Sequence, residues 1–144
     1  MDENSVMPSA STPFGARVAQ RLRDEVIIWL TTVGADGTPQ PNPVWFLWDG
    51  ASVLVYSLPH AGRVANIKRN PRVSLNLDGN GRGGDIIVIT GEARIVEEEP
   101  PADRNTVYVD KYKEYIERSF KTPEYFASQY SLPLRITPRK VRGG

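Results

Sequence analysis

The densest group of residues able to do chemistry lies in "SLPHAGRVANIKRNP", residues 57 to 71. Within it Ser57, His60 and Gly62 lead to Arg63, Asn66, Lys68 and Arg69. Hydroxyl, guanidinium, amide and ammonium groups at this spacing suit the oxygens of an anion. The planar fork of Arg63 matches a pair of phosphate oxygens better than an ammonium does. At 100° per residue Ala61, Val64, Ala65 and Ile67 share one helix face, and Gly62, Arg63, Asn66 and Arg69 take the other. Arg63 then stands in a first turn, where free N–H groups and the helix dipole favour negative charge. A short helix with a polar outer face is equally an ordinary solvated surface. Spacing alone leaves both readings open.

Chemistry is sparse elsewhere. The chain has no cysteine and one histidine, His60. That excludes a disulfide framework, a thiolate metal site and a cysteine nucleophile, and it leaves a histidine metal site or a catalytic triad without support. "EEE" at 97–99 precedes Pro100 and reads as a solvated charge run. "GNGRGG" at 79–84 lacks the Lys-Ser/Thr pair of a phosphate loop and precedes a strand, so it reads as a flexible hairpin loop. A net charge of +1 gives no basic field to draw nucleic acid. The start, "MDENSVMPSASTPFG", is acidic and polar where a secretory leader is basic and then apolar. The longest nearly apolar run, "VIIWL", is far too short to span a bilayer. The expectation is a cytoplasmic protein with no membrane partner, a disordered tail over residues 1–13, and one domain over 14–144.

The elements that must position the basic segment are mostly strands. "VIIWLTTV" (26–33), "PVWFLW" (43–48), "SVLVYS" (52–57), "RVSLNLD" (72–78) and "DIIVITGEARIV" (85–96) are rich in β-branched and aromatic residues. Turns at 35–39, 49–50 and 79–84 separate them. "PLRITPRKVR" (133–142) carries two prolines and reads as an edge strand. Helices fit at 14–25, with Val18 and Leu22 at an i, i+4 spacing, at 61–70, and at 101–120. In the last, Asp103 reads as the N-cap, with Tyr108, Tyr112, Tyr115 and Ile116 on one face. Five or six strands without β-α alternation predict a mainly β fold with a few helices, a closed or nearly closed antiparallel barrel rather than a doubly wound sheet.

"GTPQPNPVWFLWDG", "LVYSLPHAGRVANIKRNPRVSL" and "ITGEARIV", in that order, resemble the split β-barrel flavin/deazaflavin oxidoreductases of pyridoxamine 5'-phosphate oxidase type. Within that family they are most similar to the actinobacterial branch that uses coenzyme F420. The resemblance covers roughly residues 15 to 142. It rests most on Arg63, Asn66, Lys68, Arg69, Asn70 and Pro71, and next on the "PxPVWF" of the second strand.

The resemblance implies a split β-barrel of about six strands and a homodimer with cofactor at the subunit interface. It implies a ring system along Pro43, Val44, Trp45, Phe46 and Tyr56, met largely through backbone. It implies a phosphate at Ser57, Gly62, Arg63 and Val64, with Asn66 and Lys68 as further cofactor contacts. Arg63 stands where the family carries Lys or Arg for that role.

Each residue also has a plainer reading. Trp45, Phe46 and Tyr56 suit any barrel core, Ser57 a strand end, Asn66 a local cap, and Lys68 the helix edge. No catalytic side chain is evident, which suits hydride transfer, because a reduced ring supplies the reactive hydrogen and the protein positions it. The implied activity is F420-dependent reduction of a conjugated, electron-poor small molecule. The alternatives are an FMN-dependent flavin reductase or pyridoxamine-phosphate-type oxidase, and a non-catalytic protein that binds a flavin, haem or tetrapyrrole. The chain departs from the family in ending "VRGG" rather than on an aromatic residue.

Overall fold

The computed structural model describes residues 6–144. The disordered tail expected over 1–13 lies outside the described residues for 1–5. Residues 6–12 lead into the first helix, with Met7 packed against the core. Helix α1, Pro13–Asp24, starts where Thr12 accepts the Gly15 N–H and Pro13 presets the first turn. Val18 and Leu22 face the core as the i, i+4 spacing predicts. Strands β1 (Ile27–Val33), β2 (Pro39–Trp45), β3 (Leu47–Trp48) and β4 (Val53–Ser57) follow, then helix α2 (Gly62–Arg69). Strands β5 (Arg72–Asn76) and β6 (Ile87–Ile95) precede helices α3 (Thr106–Phe120) and α4 (Pro123–Gln129), and β7 (Leu132–Gly143) closes the order.

The strands form one antiparallel sheet in the order β2-β1-β5-β6-β7-β4-β3. The two ends of that order, β2 and β3, are successive parts of one extended segment separated only by Phe46. The sheet must therefore curl until its ends meet, and the segment 39–48 pairs with β1 along its first part and with β4 along its last. This is the split barrel that the sequence predicts.

The segment 43–48 thus divides at Phe46 into two strands, and the first begins earlier, at Pro39. The β1–β2 register sets Ile27 against Trp45, so Val26 and Phe46 would form the next rung. The hydroxyl of Tyr112 occupies that rung. It accepts the Phe46 N–H at 2.8 Å and faces the carbonyls of Val26 at 2.7 Å and Phe46 at 3.0 Å. A helix side chain completes the strand ladder.

Alternation along the strands separates two cores. Val44, Phe46, Val53 and Val55 point into an aliphatic barrel core with Leu30, Leu75 and Ile89. Trp45, Leu47, Leu54 and Tyr56 point the other way, against Tyr108, Tyr112, Ile116 and Phe126 of α3 and α4. With both faces covered, β4 is buried at all five positions, which is why "SVLVYS" is a continuous apolar run.

Several expectations change. The last strand is not an edge: β7 lies between β6 and β4. Its Pro138 is tolerated because it sits at a register shift opposite Gly91, beyond the pairing of β7 with β4, which ends at Ile136. Gly91 is required there, since a Cβ would lie 2.2 Å from the Thr137 carbonyl. The helix expected from 101 begins at Thr106 after a 3-10 turn, and Asn105 rather than Asp103 caps it by accepting the Tyr108 N–H. Tyr115 of the expected apolar face is exposed. On α2, Ala65 is exposed and Asn66 buried, the reverse of their expected sides.

Candidate functional site

The cleft lies where the segment 39–48 parts from β4. Their hairpin pairs Trp48 with Val53 and Leu47 with Leu54. Continued, that register would set Trp45 against Tyr56 and Pro43 against Leu58, but the pairing stops at Leu47. Pro43 has no N–H to donate to such a rung. A cleft of about 260 Å³ opens between the two backbones, with Pro43, Val44 and Trp45 on one side and Tyr56 and Leu58 on the other.

Arg63 of α2 reaches one end of this cleft, and Tyr108, Phe120, Phe126 and Tyr130 roof it. The roof is a column of rings. Trp45 stacks on Tyr112 at 4.6 Å and on Phe126 at 5.2 Å, and Tyr130 stacks on Phe126 at 4.7 Å. Phe120 closes edge-on against Trp45, Phe126 and Tyr130. Tyr56 is fixed from outside the cleft, its hydroxyl donating to the Pro100 carbonyl at 2.8 Å. Such a slot suits a flat ring system.

The polar groups here are few and incompletely matched. Arg63 Nη1 donates to Ser57 Oγ at 2.9 Å, and the Ser57 hydroxyl donates to the Leu58 carbonyl at 2.9 Å. Arg63 Nε is shielded from solvent without a hydrogen-bond partner. None of the ion pairs among the described residues includes Arg63. Burial pulls its pKa below the ordinary arginine value. A guanidinium held in this way lacks the counter-anion that buried charge ordinarily requires. Beside it, α2 starts at Ala61 with no side-chain cap. The Tyr108 hydroxyl is likewise buried without a partner, and burial pushes its pKa well up, so it remains a neutral donor.

Of the residues singled out in the sequence, Pro43, Val44, Trp45, Tyr56 and Arg63 line the cleft, and Ser57 is bound to Arg63. Gly62 is exposed at the start of α2, and a Cβ there would meet nothing within 4 Å, so its glycine serves no packing need in this chain. Four others lie elsewhere. Phe46 is in the barrel core beneath Lys111, and Val64 is buried under α2. Asn66 ties α2 to the barrel, its amide donating to Thr32 Oγ1 at 2.9 Å and Gln40 Oε1 at 3.0 Å. Lys68 is exposed on α2. His60 is exposed in the loop between β4 and α2.

The roof residues Phe120, Phe126 and Tyr130 were legible only as aromatics of the region 101–130. The stronger signal was "KTPEYF": Thr122 caps α4 by accepting the Tyr125 N–H and Pro123 opens it. Among the described residues no helix is long and apolar enough to cross a membrane.

The curled sheet with its cleft is a split barrel, and comparison gives the family. The pyridoxamine 5'-phosphate oxidase family matches residues 14–143, so the chain belongs to it. No curated protein matches the sequence. A solved F420 reductase is 24% identical, with a TM-score of 0.66, over 85% of this chain and 94% of its own. A conserved hypothetical protein from Mycobacterium tuberculosis is 26% identical, with a TM-score of 0.66, over 99% of this chain and 87% of its own. The heme storage protein HutZ from Vibrio cholerae is 15% identical, with a TM-score of 0.63, over 92% of this chain and 95% of its own.

Proposed function

We propose that the protein is a cytoplasmic oxidoreductase that binds coenzyme F420 in the cleft between β2 and β4 and reduces a conjugated, electron-poor small molecule. One observation carries the reading. Among the described residues Arg63 is a half-buried cation with no carboxylate partner and an unpaired Nε, lining a slot walled by aromatic rings. A ligand with a flat ring at one end and a phosphate at the other meets both needs.

The residues present fit such a group. Arg63, Ser57 and the uncapped start of α2 would hold its phosphate, and Trp45, Tyr56 and the edges of β2 and β4 would hold its ring. A reduced deazaflavin bound there would supply hydride-transfer chemistry. The chain's own part is to orient the ring, exclude water with the aromatic roof, and neutralise the phosphate charge. Lys68, Arg69, Arg72 and Arg82 are exposed basic residues available to the anionic tail of F420. A cleft of about 260 Å³ is small for a whole cofactor, which favours completion of the site by a second copy in a homodimer.

The solved F420 reductase supports F420, while FMN shares the features that Arg63 and the ring slot would meet. The likeness to a heme storage protein raises a non-catalytic reading, but His60, the one histidine, is not among the residues lining the cleft. Fluorescence titration with F420 and separately with FMN, on wild type and Arg63→Ala, tests the proposal. F420 is expected to bind more tightly, and Arg63→Ala to weaken it roughly ten- to a hundredfold. Tighter FMN binding moves the activity to a flavin enzyme. Binding of neither below millimolar concentration overturns the reading.

A further inference from the structure

β2 carries proline at every second position, Pro39, Pro41 and Pro43, all within its ladder with β1. A proline cannot donate to a neighbouring strand. An unbroken antiparallel ladder therefore holds these three where the backbone nitrogen and carbonyl face away from β1. The hairpin gives the same parity from the other side. The Asp49 N–H donates to the Ser52 carbonyl, which makes Leu47 and Leu54 the next bonded pair and turns the backbones of Trp45 and Pro43 toward β4. Pro43 and Trp45 line the cleft. Its β2 rim thus presents two carbonyl oxygens but a single N–H, that of Trp45.

We propose that Pro43 is a specificity-determining residue. By withholding an N–H from the rim, it favours a cofactor ring that carries C–H at its central reactive position over one that carries an acceptor nitrogen there. This rests on the reading of the cleft as a flavin-type cofactor site. An oxidised flavin and the matching 5-deazaflavin have the same outline and differ at one atom. The flavin has N5, a hydrogen-bond acceptor, and the deazaflavin has C5–H.

Against a rim with a donor, N5 gains a bond that C5–H cannot make. Against a carbonyl, N5 meets a second acceptor and is left unpaired, while C5–H makes a weak C–H···O contact. The rim selects by the partner it lacks rather than by one it adds. The pairing with β4 already ends at Leu47, before the Trp45 rung, and Pro43 keeps the next position without an N–H.

The test uses FMN and 5-deaza-FMN, whose phosphate and ribityl chain are identical, titrated against wild type, Pro43→Ala and Pro41→Ala. Wild type is expected to bind 5-deaza-FMN about tenfold more tightly than FMN. Pro43→Ala restores an N–H to the rim and is expected to bring the two within about threefold. Pro43→Val, which restores the same N–H with a good strand former, is a second variant should the first fold poorly. Pro41→Ala adds an N–H to the same edge outside the cleft lining and is expected to keep the wild-type ratio. Equal binding of the two ligands by wild type, or an unchanged ratio in both Pro43 variants, overturns the inference and leaves the cofactor reading standing. Failure of wild type to bind either ligand overturns both.

Discussion

Each end of β4 is met by a half-buried arginine, Arg135 of β7 at one and Arg63 of α2 at the other, and the two are treated differently. At the closed end Arg135 donates from Nε to Glu99 at 2.8 Å and from Nη1 to Asp49 at 2.7 Å and Ser52 at 3.0 Å. At the open end Arg63 has one hydroxyl, Ser57, and no carboxylate among the described residues. A cation whose partners all belong to the chain is part of the fold. A cation left short of partners in a ring-lined slot is the feature on which the proposed phosphate site rests. The barrel is closed where its charges are matched and open where one is not.

The largest effect is expected at the closed end. Arg135→Met removes the cation shared by Glu99 and Asp49 and leaves both carboxylates without it. A loss of about 2–4 kcal/mol in urea unfolding is expected, with ligand binding per folded molecule unchanged. Weakened binding in the folded variant would erase the distinction between the two ends.

The next contrast lies within α3. Tyr112→Phe strips the group that completes the β1–β2 ladder and leaves the Phe46 N–H and Val26 carbonyl without it, a loss of roughly 1–3 kcal/mol. Tyr108→Phe removes a hydroxyl that has no partner, and stability should stay within about 0.5 kcal/mol or rise. Equal losses in the two variants would show that the Tyr108 hydroxyl is bonded in the free protein.

The smallest effect is a pH dependence. Lys111 donates to the Phe46 carbonyl at 2.9 Å and lies 3.9 Å from the Phe46 ring centre. Burial lowers its pKa to about 8, against the opposing pull of Asp24 and Glu25. Between that value and the unfolded value of 10.5 the unfolded chain binds the extra proton, so this contribution to stability rises with pH through that window. Lys111→Met should flatten the rise, compared with wild type between about pH 7.5 and 9.5. An identical slope in the two proteins would remove Lys111 as its source.

Much of this was legible in the sequence because local pattern and tertiary role agree. The β-branched runs, the Asp-Gly turns and the amphipathic α1 specified their own elements, and Arg63 stood out by residue type and by resemblance. What was missed depends on contacts between distant segments. Nothing local says that "PLRITPRKVR" lies at the centre of the sheet: Pro138 falls beyond the pairing with β4, while Pro133 pairs with Tyr56 and accepts the Val96 N–H. Asn66 reads as a surface amide on a helical wheel, yet Thr32 and Gln40, far away in sequence, draw it inward. Trp45 and Phe46 are adjacent and similar, but strand alternation sends one to the cleft and the other to the core. The opening beside Pro43 requires knowing that one segment serves both ends of a curled sheet.

No carboxylate among the described residues balances the charge of Arg63. Chemical unfolding and F420 titration of Arg63→Met beside wild type address it together. The ligand-free variant is expected to be as stable as wild type or more so, since it no longer desolvates an unmatched cation, and to bind F420 at least about tenfold more weakly. A variant clearly less stable than wild type that binds F420 with undiminished affinity would contradict this, and would return Arg63 to the fold.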